Sequence, residues 1–410
     1  MALPNFASNL RGKASESQSK TEKQSFSIYN QGSSNVGAFF SPSGRGTILG
    51  SAMKTPSSPT LPPSRAIELA IIGGGAAGLF AAVTAAARGI PCLVVERKAR
   101  FGAKLLMTAN GRCNFTRDIP PEEFLRDLSP SAAAFAVPAL RAMPPRRIIS
   151  AFESIGLRVR RMRDGRVFPA SGQAADVVHA LGDALRDAGV PELLNAPVSA
   201  IRPLPSGGFS LSLPAFDLHA KRILVATGGL SFPKTGSVGD GHAWARDLGL
   251  RVTPLRAGLA GLEAPPALLA SAGAAPGQRY EEAQALVLDS AGHEQFRTRG
   301  ELEVTPWGLA GAAIYNAQRL IALSELPYPT LRISFAGRSL TLRNPRARPL
   351  KEAIVTLGGI DLSEIDPHTM ASKRYPGLYF AGEILDLDGP TGGYNLTLAF
   401  ATAHLAVDQI

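Results

Sequence analysis

The chain has few of the residues that form disulfides or bind metals. It contains two cysteines and six histidines in 410 residues. Cys92 lies inside a predicted strand, so a disulfide with Cys113 is not expected, and a reducing compartment is the simpler interpretation. The histidines lack the spacing of metal ligands, and we therefore predict no metal site.

Long apolar runs are also missing, although 45% of the residues are hydrophobic. No stretch reaches the roughly 20 consecutive apolar residues of a membrane-spanning helix, so we expect a cytoplasmic protein without a membrane partner. The apolar content and the chain length are sufficient for two domains with a substantial core.

Acidic residues are outnumbered by basic ones, which gives a formal net charge of +10. Such a balance invites a nucleic-acid interpretation. Half of the excess comes from residues 1–65, which carry seven Lys or Arg and two Glu. This segment is rich in Ser, Thr, Gly and Pro, and we predict a disordered extension. The alternatives are an organelle-targeting peptide, or a start-site artefact with the true start nearer Met53.

The most informative stretch has the pattern of a βαβ unit. Leu69–Ile72 is a short apolar run without polar alternation, typical of a parallel strand covered on both faces. Gly73, Gly75 and Gly78 then follow the spacing G-x-G-x-x-G, which allows a tight turn, a close approach to a pyrophosphate, and helix–strand packing in that order. A helix is predicted over Ala76–Arg88, and its free N-terminal amides would bind the phosphates.

The second strand of this unit is predicted over Cys92–Val95. It ends at Glu96, about 20 residues after the glycines, where a dinucleotide-binding fold places the acid that contacts ribose hydroxyls. The carboxylate would repel a 2′-phosphate, so the bound adenosine should lack one. The unit alone does not distinguish FAD from NAD.

The segment KLLMTANGRCN (104–114) is too polar and glycine-marked for an ordinary helix. We predict a loop that crosses the cofactor. Lys104 and Arg112 would neutralise phosphate or reduced-flavin charge, and Asn114 offers an amide for ring edges. Cys113 is a candidate proton donor near the reactive ring, and the alternative is a small buried packing residue.

Residues 121–163 are predicted to form helices joined by proline turns. A cluster of arginines occurs in this region: Arg141, Arg146, Arg147, Arg158, Arg160, Arg161 and Arg163. Such a cluster is usually a solvated face. An RNA-contacting strip is the alternative, although no aromatic stacking platform is interleaved with the arginines.

Later in the chain, several predicted strands end in glycine turns. The run 222–229 ends in ATGG and should return to the cofactor crevice, and SFPKTGSVGDG (231–241) would form a second backbone cradle. Another strand, 377–383, ends in AGE. The motif GPTGGYN (389–395) precedes an apolar helix, whose N-terminus is a further site for an anion or a polarised carbonyl.

Short β-like runs and proline turns characterise the stretch from Leu250 to Leu342, which indicates an inserted domain that would supply much of the substrate pocket. We therefore predict four parts of the chain: an extension (1–65), the first part of a cofactor-binding domain (66–249), a substrate domain (250–352) and the C-terminal part of the cofactor-binding domain (353–410).

Six stretches together match one family: GGGAAG (73–78), KLLMTANGRCN (104–114), GRVFP (165–169), ATGGLSFPKTGSVGDG (226–241), GELEVTPWGLAG (300–311) and TLGGIDLSEIDPHTMASKRYPGLYFAGEILDLDGPTGGYN (356–395). They resemble the BaiN and aminoacetone-oxidase-like family of FAD-binding proteins, whose fold is similar to the glutathione-reductase class. The resemblance runs from about Ile67 to the C-terminus. Two departures are a shortened helical insertion before the strand at 354–359 and a C-terminal helix that stops at Ile410.

The resemblance implies an α/β fold, with a Rossmann-like FAD-binding domain on a parallel central sheet and an inserted β-rich substrate domain. It also implies non-covalent FAD. The residues predicted to bind the cofactor are Gly73, Gly75, Ala76, Ala77, Gly78, Glu96, Arg97, Lys104, Arg112, Cys113, Asn114, Ala226, Thr227, Gly228, Gly382, Glu383, Gly392, Gly393, Tyr394 and Asn395. The candidate catalytic residues are Cys113, Lys104 and Asn114.

The residues also favour FAD over NAD, because one fingerprint holds one adenine dinucleotide while several later turns converge on the same crevice. We predict a flavoenzyme that moves a hydride between FAD and a small molecule, with oxygen or a transiently bound NAD(P)H as second partner. The alternatives are a flavin-dependent reductase that makes dihydrouridine in large-subunit ribosomal RNA, and a flavin-binding protein with reduced catalysis. We make no prediction of the oligomeric state.

Overall fold

The computed structural model describes residues 66–410, so the predicted extension lies outside the described residues. The helices are α1 (Ala76–Arg88), α2 (Pro121–Arg126), α3 (Pro130–Ala142), α4 (Pro145–Ser154), α5 (Ala174–Asp187), α6 (Asp240–Asp247), α7 (Pro266–Ser271), α8 (Ala312–Ser324) and α9 (Tyr394–Asp408).

The strands from the first half of the chain are β1 (Ile67–Ile72), β2 (Cys92–Val95), β3 (Thr116–Arg117), β4 (Val159–Arg161), β5 (Arg166–Pro169), β6 (Glu192–Leu193), β7 (Ala200–Pro203), β8 (Phe209–Ser212) and β9 (Asp217–Val225). Those from the second half are β10 (Arg256–Gly258), β11 (Leu262–Glu263), β12 (Arg279–Leu288), β13 (Glu294–Thr305), β14 (Gly308–Ala310), β15 (Thr330–Phe335), β16 (Arg338–Arg343), β17 (Val355–Leu357) and β18 (Leu378–Phe380).

The main sheet has seven strands in the order β6-β2-β1-β9-β8-β7, and β18 also pairs with β9. Strands β6, β2, β1, β9 and β18 are parallel, whereas β8 pairs antiparallel with both β7 and β9. The long strand β9 pairs with β8 through its first half and with β18 through its second half. The predicted parallel central sheet is therefore confirmed, and all five parallel strands end at the same edge.

Helix α1 begins and ends where its sequence predicts. Its alanine-rich run has high helix propensity, and ten of its thirteen residues are buried between the sheet and α9. Gly89 follows with φ 73°, the left-handed conformation that ends a helix without steric strain in glycine. Its N–H donates to the carbonyl groups of the last turn.

Four phenylalanines hold separate segments of this unit together. Phe80 of α1 lies 5.0 Å from Phe400 of α9, between ring centroids, and Phe152 of α4 contacts both rings. Phe115, which directly follows the predicted cofactor loop, lies 4.8 Å from Phe152. Tilted and edge-on aromatic pairs at these distances are favourable beyond their buried area. The cofactor loop is thus anchored in the core at its C-terminal end.

The second unit is a six-stranded antiparallel sheet in the order β11-β14-β13-β12-β15-β16. Helix α8 packs on β12 and β13, and the buried side chains between Leu262 and Leu342 form a separate hydrophobic cluster. Strands β10 and β17 form a separate short antiparallel pair. The domain boundaries at 250 and 352 stay a prediction.

The sequence did not predict helix α8. Its buried side consists of Ala313, Ile314 and Ala317, but also of Gln318 and Arg319. Two long polar side chains interrupt the apolar stripe that normally identifies a helix. Their burial depends on partners far away in the chain, which a local pattern does not contain.

Among the described residues, no helix is long and apolar enough to cross a membrane. Within residues 66–410, no group of three or more His, Cys, Asp or Glu side chains is arranged to hold a metal ion.

Helix α9 is buried along almost its whole length and includes a histidine. His404 is 5% exposed, and its Nδ1 atom has no hydrogen-bond partner within residues 66–410. Burial lowers the pKa of His404 from 6.5 to about 4, and the nearby Arg147 and Arg88 act in the same direction. Burial likewise lowers the pKa of His242.

We expect the protein to lose stability as the pH falls from 6.5 towards 4. Unfolded chains bind a proton at His404 in this range, whereas the folded chain excludes it, and the effect can reach roughly 3 kcal/mol. His404→Leu should flatten this dependence, leaving the smaller contribution of His242. Urea unfolding at several pH values measures both slopes, and equal slopes for the variant and the parent would contradict the assignment.

Candidate functional site

The ends of three parallel strands meet around the glycine loop. A Cβ atom added to Gly73 would lie 2.5 Å from the carbonyl oxygen of Ala226, at the end of β9. A Cβ atom added to Gly382, after β18, would lie 2.9 Å from the Cβ atom of Ala77 in α1. The loop after β1 therefore lies directly against the ends of β9 and β18, and the structure brings these predicted cofactor residues together.

The three glycines of the loop have different surroundings. A Cβ atom on Gly78 would lie 1.8 Å from the carbonyl oxygen of Gly73, so the start of α1 packs directly on the turn. A Cβ atom on Gly75 would meet nothing within 4 Å. Gly75 precedes α1 in an extended conformation, and no side chain caps the helix. Open space in front of free helix amides fits a pyrophosphate group.

The predicted ribose-binding acid lies beside this loop. Glu96 is 9% exposed, and its two carboxylate oxygens accept hydrogen bonds from the N–H groups of Gly74 and Lys98, both at 2.7 Å. The carboxylate is therefore held at the end of β2 by backbone donors. The next residue, Arg97, forms an ion pair of 2.6 Å with Asp240 at the start of α6. The contact of Glu96 with ribose stays a prediction.

A buried hydroxyl without a partner lies at the end of β9. The Oγ1 atom of Thr227 has no hydrogen-bond partner within the part of the chain that the structure describes. The hydroxyl lies against Gly241 of α6, where an added Cβ atom would come within 2.4 Å of it. The feature that fits a dinucleotide such as FAD is the open cradle at Gly75, in front of the free amides of α1.

A polar cluster joins four distant segments beyond the end of β18. The Nζ atom of Lys104 lies 2.6 Å from a carboxylate oxygen of Glu383 and donates to the hydroxyl of Ser231 at 2.5 Å. Glu383 also accepts a hydrogen bond from the N–H of Thr356 at 3.0 Å. The hydroxyl of Thr356 in turn accepts from the N–H of Ser231. Lys104 and Glu383 are each 22% exposed, so solvent still reaches the cluster.

The side chains near the end of the cofactor loop make structural contacts. Cys113 has no exposed surface, and burial raises the pKa of its thiol to about 12. The side-chain oxygen of Asn114 accepts from the N–H of Val167 at 3.3 Å. The guanidinium group of Arg112 lies 5.8 Å from the ring centroid of Phe168. Cofactor contacts for these three residues stay predictions, and the burial of the thiol favours the packing alternative.

The turn before α9 presents backbone rather than side chains. Gly392 and Gly393 have φ angles of 101° and 99°, and a Cβ on Gly393 would lie 2.8 Å from the backbone of Thr116 in β3. The side chain of Asn395 bonds both the N–H and the carbonyl of Gly389. The hydroxyl of Tyr394 donates to Asp127. Two predicted cofactor side chains thus shape the turn, and the helix amides are the groups left to bind a ligand.

Sequence reasoning missed Ser231, which accepts a hydrogen bond from Lys104, and Thr356, which bonds to Glu383 and Ser231. Ser231 lies in the segment predicted as a second cradle, and Thr356 begins the longest motif of the family resemblance, so the positions of both gave a partial signal. It also missed Arg117, whose Nε atom is buried without a partner among the described residues and whose guanidinium lies 5.4 Å from the ring centroid of Tyr394.

We expect Gly75→Val to fold and to lose FAD. The added side chain would enter the open space in front of α1, where the pyrophosphate is predicted, without meeting protein atoms. Gly78→Val provides the contrast, because its side chain would collide with the carbonyl of Gly73 and should prevent folding. Visible absorbance and circular dichroism of the purified variants test this, and a yellow Gly75→Val protein would refute the assignment.

We expect Cys113→Ala to retain FAD and to change the rates of flavin reduction and reoxidation by less than about twofold. A thiol that is fully buried, with its pKa raised to about 12, packs as a small apolar group. Stopped-flow absorbance of each half-reaction measures the rates. A selective slowing of the proton-dependent half-reaction would instead support the proton-donor hypothesis.

The geometry agrees with what comparison with known proteins shows. A family model described as "HI0933-like protein Rossmann domain" matches residues 67–409. The chain is similar to a 3-dehydro-bile acid delta(4,6)-reductase of Clostridium scindens. The two are 28% identical over an alignment of 410 residues, gaps included, and the match covers 83% of this chain and 98% of the relative. It is also similar to a ribosomal RNA dihydrouridine synthase of Escherichia coli, with 27% identity over 406 residues that cover 83% and 97%.

Among solved structures, the chain shares its fold with a 3-ketosteroid delta1-dehydrogenase of Sterolibacterium denitrificans. The TM-score is 0.52 at 13% identity, and the match covers 84% of this chain and 99% of that protein. The family resemblance predicted from the sequence motifs is thus confirmed. Because the family model spans nearly all of the described residues, the chain belongs to the HI0933-like Rossmann family and is an FAD-dependent oxidoreductase.

Proposed function

We propose that the protein reduces a carbon–carbon double bond conjugated to a carbonyl group in a small molecule, with NAD(P)H as the electron donor. The observation that carries this proposal is the convergence of two features at one edge of the parallel sheet. One is the open glycine cradle in front of α1, and the other is the Lys104–Glu383 cluster beyond β18. A cofactor that extends from the first to the second would place its reactive end beside a fixed cation.

The substrate class follows from what the relatives share. The name of the Clostridium scindens protein describes reduction of a 3-oxo steroid with double bonds at positions 4 and 6. Dihydrouridine formation, named for the Escherichia coli protein, reduces a double bond of uracil that is also conjugated to a carbonyl. Both reactions add a hydride to one carbon and a proton to its neighbour, while negative charge develops on the carbonyl oxygen.

The residues of this chain provide what such a reaction needs. FAD, when bound, supplies the hydride. The ammonium group of Lys104, held by Glu383 and Ser231, is a fixed positive charge with 22% exposure. The amides at the start of α9 are free of side-chain caps. A fixed positive charge and preorganised amide donors both stabilise developing oxyanions. Lys104 is therefore proposed as a catalytic residue, and Glu383 and Ser231 as the residues that orient it.

We expect Lys104→Met to retain FAD and to slow reoxidation of the reduced enzyme by an enone by roughly 10²-fold, because the fixed positive charge beside the developing oxyanion is lost. Lys104→Arg should recover part of the rate. Lys351→Met is the matched control, since this lysine is exposed and outside the cluster.

The assay reduces the enzyme anaerobically with NADH or NADPH and then adds a steroid enone, uridine-containing RNA or oxygen. Absence of bleaching by both nicotinamides would overturn the donor assignment, and reoxidation by oxygen alone would favour an oxidase. A protein that binds FAD tightly and turns over with none of these compounds would be the flavin-binding protein with reduced catalysis.

A second candidate is the reduction of uridine in ribosomal RNA. The observation that favours it is the position of the predicted arginine cluster, whose members are all exposed on α3, on α4 and around the hairpin β4–β5. Strand β5 pairs with β3, and β3 contacts the turn at Gly393. The hairpin that carries part of the cluster is therefore joined through β3 to the turn before α9. Part of the charge of the cluster is already neutralised, since Asp118 pairs with both Arg146 and Arg161.

RNA binding to this surface should weaken steeply with salt, because each phosphate contact releases counterions. The double variant Arg158→Ser/Arg160→Ser should reduce the slope of log K against log [salt] by about 2. The control is Arg332→Ser/Arg343→Ser on the other sheet. Equal slopes in all three proteins would leave the small-molecule reaction as the function.

A further inference from the structure

Helix α8, which packs on the second sheet, carries a buried arginine, Arg319, that forms an ion pair with Asp388 in the turn before α9. Arg319 is 3% exposed and Asp388 is 8% exposed. The Nε atom of Arg319 binds the carboxylate of Asp388, and one of its terminal nitrogens donates to the carbonyl oxygen of the same residue at 3.2 Å. Arg319 thus grips both the side chain and the backbone of one residue in the turn.

A second side chain on the same face of α8 holds the other end of that turn. The side-chain oxygen of Asn316 accepts a hydrogen bond from the N–H of Thr391 at 2.8 Å. Asn316 and Arg319 are three residues apart and therefore neighbours on the helix surface. Together they fix residues 388–391, which lead directly into Gly392 and Gly393 and the free amides of α9.

The burial of the pair identifies its role as positional. Removing two charges from water is so unfavourable that an apolar pair of similar volume is often at least as stabilising. A buried ion pair is nevertheless directional, and it permits one relative placement of the two elements that carry it. An exposed pair lies at the C-terminal end of the helix, between Glu325, the residue that follows α8, and Arg256 of β10; their side chains are 76% and 43% exposed, and solvent weakens the pair.

We propose that Arg319 and Asn316 are positioning residues for FAD: the second sheet, through α8, holds the turn 388–393 in the conformation in which its amides face the cofactor. The inference rests on the proposed function only in that it takes FAD as the cofactor. According to this proposal, FAD affinity depends on the packing of α8 against the turn. This helix lies outside the glycine loop and outside the two parts of the chain predicted to form the cofactor-binding domain, 66–249 and 353–410.

The test measures FAD affinity of the full chain by fluorescence titration of the apoprotein, together with its urea unfolding midpoint. Asn316→Ala removes a neutral hydrogen bond and keeps helix propensity, so the apoprotein should unfold as the parent does while the FAD dissociation constant rises roughly tenfold. Arg319→Gln should raise the constant further and broaden the visible flavin band. Arg256→Gln is the matched control and should change neither quantity.

A third variant separates charge from position. In Arg319→Gln/Asp388→Asn, a neutral amide pair replaces the ion pair, and FAD affinity should recover relative to Arg319→Gln alone, because no unpaired charge stays buried. Parent-like FAD affinity and flavin spectra in both Asn316→Ala and Arg319→Gln would overturn the proposal. If Arg319→Gln does not fold, Asn316→Ala still decides.

These outcomes are distinct from failure of the proposed function. A parent protein that binds FAD but reduces no enone would contradict the reaction and leave the affinity comparison intact. A parent protein that binds no FAD would contradict both.

Discussion

The site depends on one close contact, that between the third glycine of the loop and the first. With no side chain at Gly78, the start of α1 can lie against the carbonyl of Gly73, where a Cβ atom would approach to 1.8 Å. This contact aims the unpaired amides of α1 at the edge where β1, β9 and β18 end. The parallel pairing of these strands then brings the ends of β9 and β18 to the same place. Without it, the helix and the strand ends would not share one crevice.

Two ion pairs connect this crevice to the rest of the molecule, and they differ in environment. The Lys104–Glu383 pair is 22% exposed on both sides and lies in a network with Ser231 and Thr356, so it presents a fixed charge to a reachable space. The Arg319–Asp388 pair is almost fully buried between α8 and the turn before α9. The Lys104–Glu383 pair is suited to act on a ligand, because a ligand can approach its charge. The Arg319–Asp388 pair is suited to hold α8 and the turn in one relative position.

Local patterns predicted much of the cofactor unit. The bounds of α1 and of strand β2 follow from helix propensity, apolar runs and a terminal glycine, all of which act over a few residues. Helix α8 was missed because Gln318 and Arg319 are buried against distant partners. Asn114, Tyr394 and Asn395 were predicted to bind the cofactor, which stays a prediction; the sequence did not predict the bonds of their side chains to Val167, Asp127 and Gly389. An amide or hydroxyl in a motif has several possible hydrogen-bond partners, and only the folded chain selects one.

The sequence by itself determined the kind of protein: the glycine spacing, the acid after β2 and the later glycine turns indicate a dinucleotide fold, because each is a requirement of backbone geometry at a single place. The family followed from the resemblance of six motif stretches. The tertiary structure decided which charges are available. Lys104 forms an ion pair but is partly exposed to solvent, and Cys113 is fully buried in the core. Arg319 forms an ion pair with Asp388, in a turn almost seventy residues away. Reachability and pairing depend on neighbours that come together only when the strands and helices pack, and no local pattern encodes them.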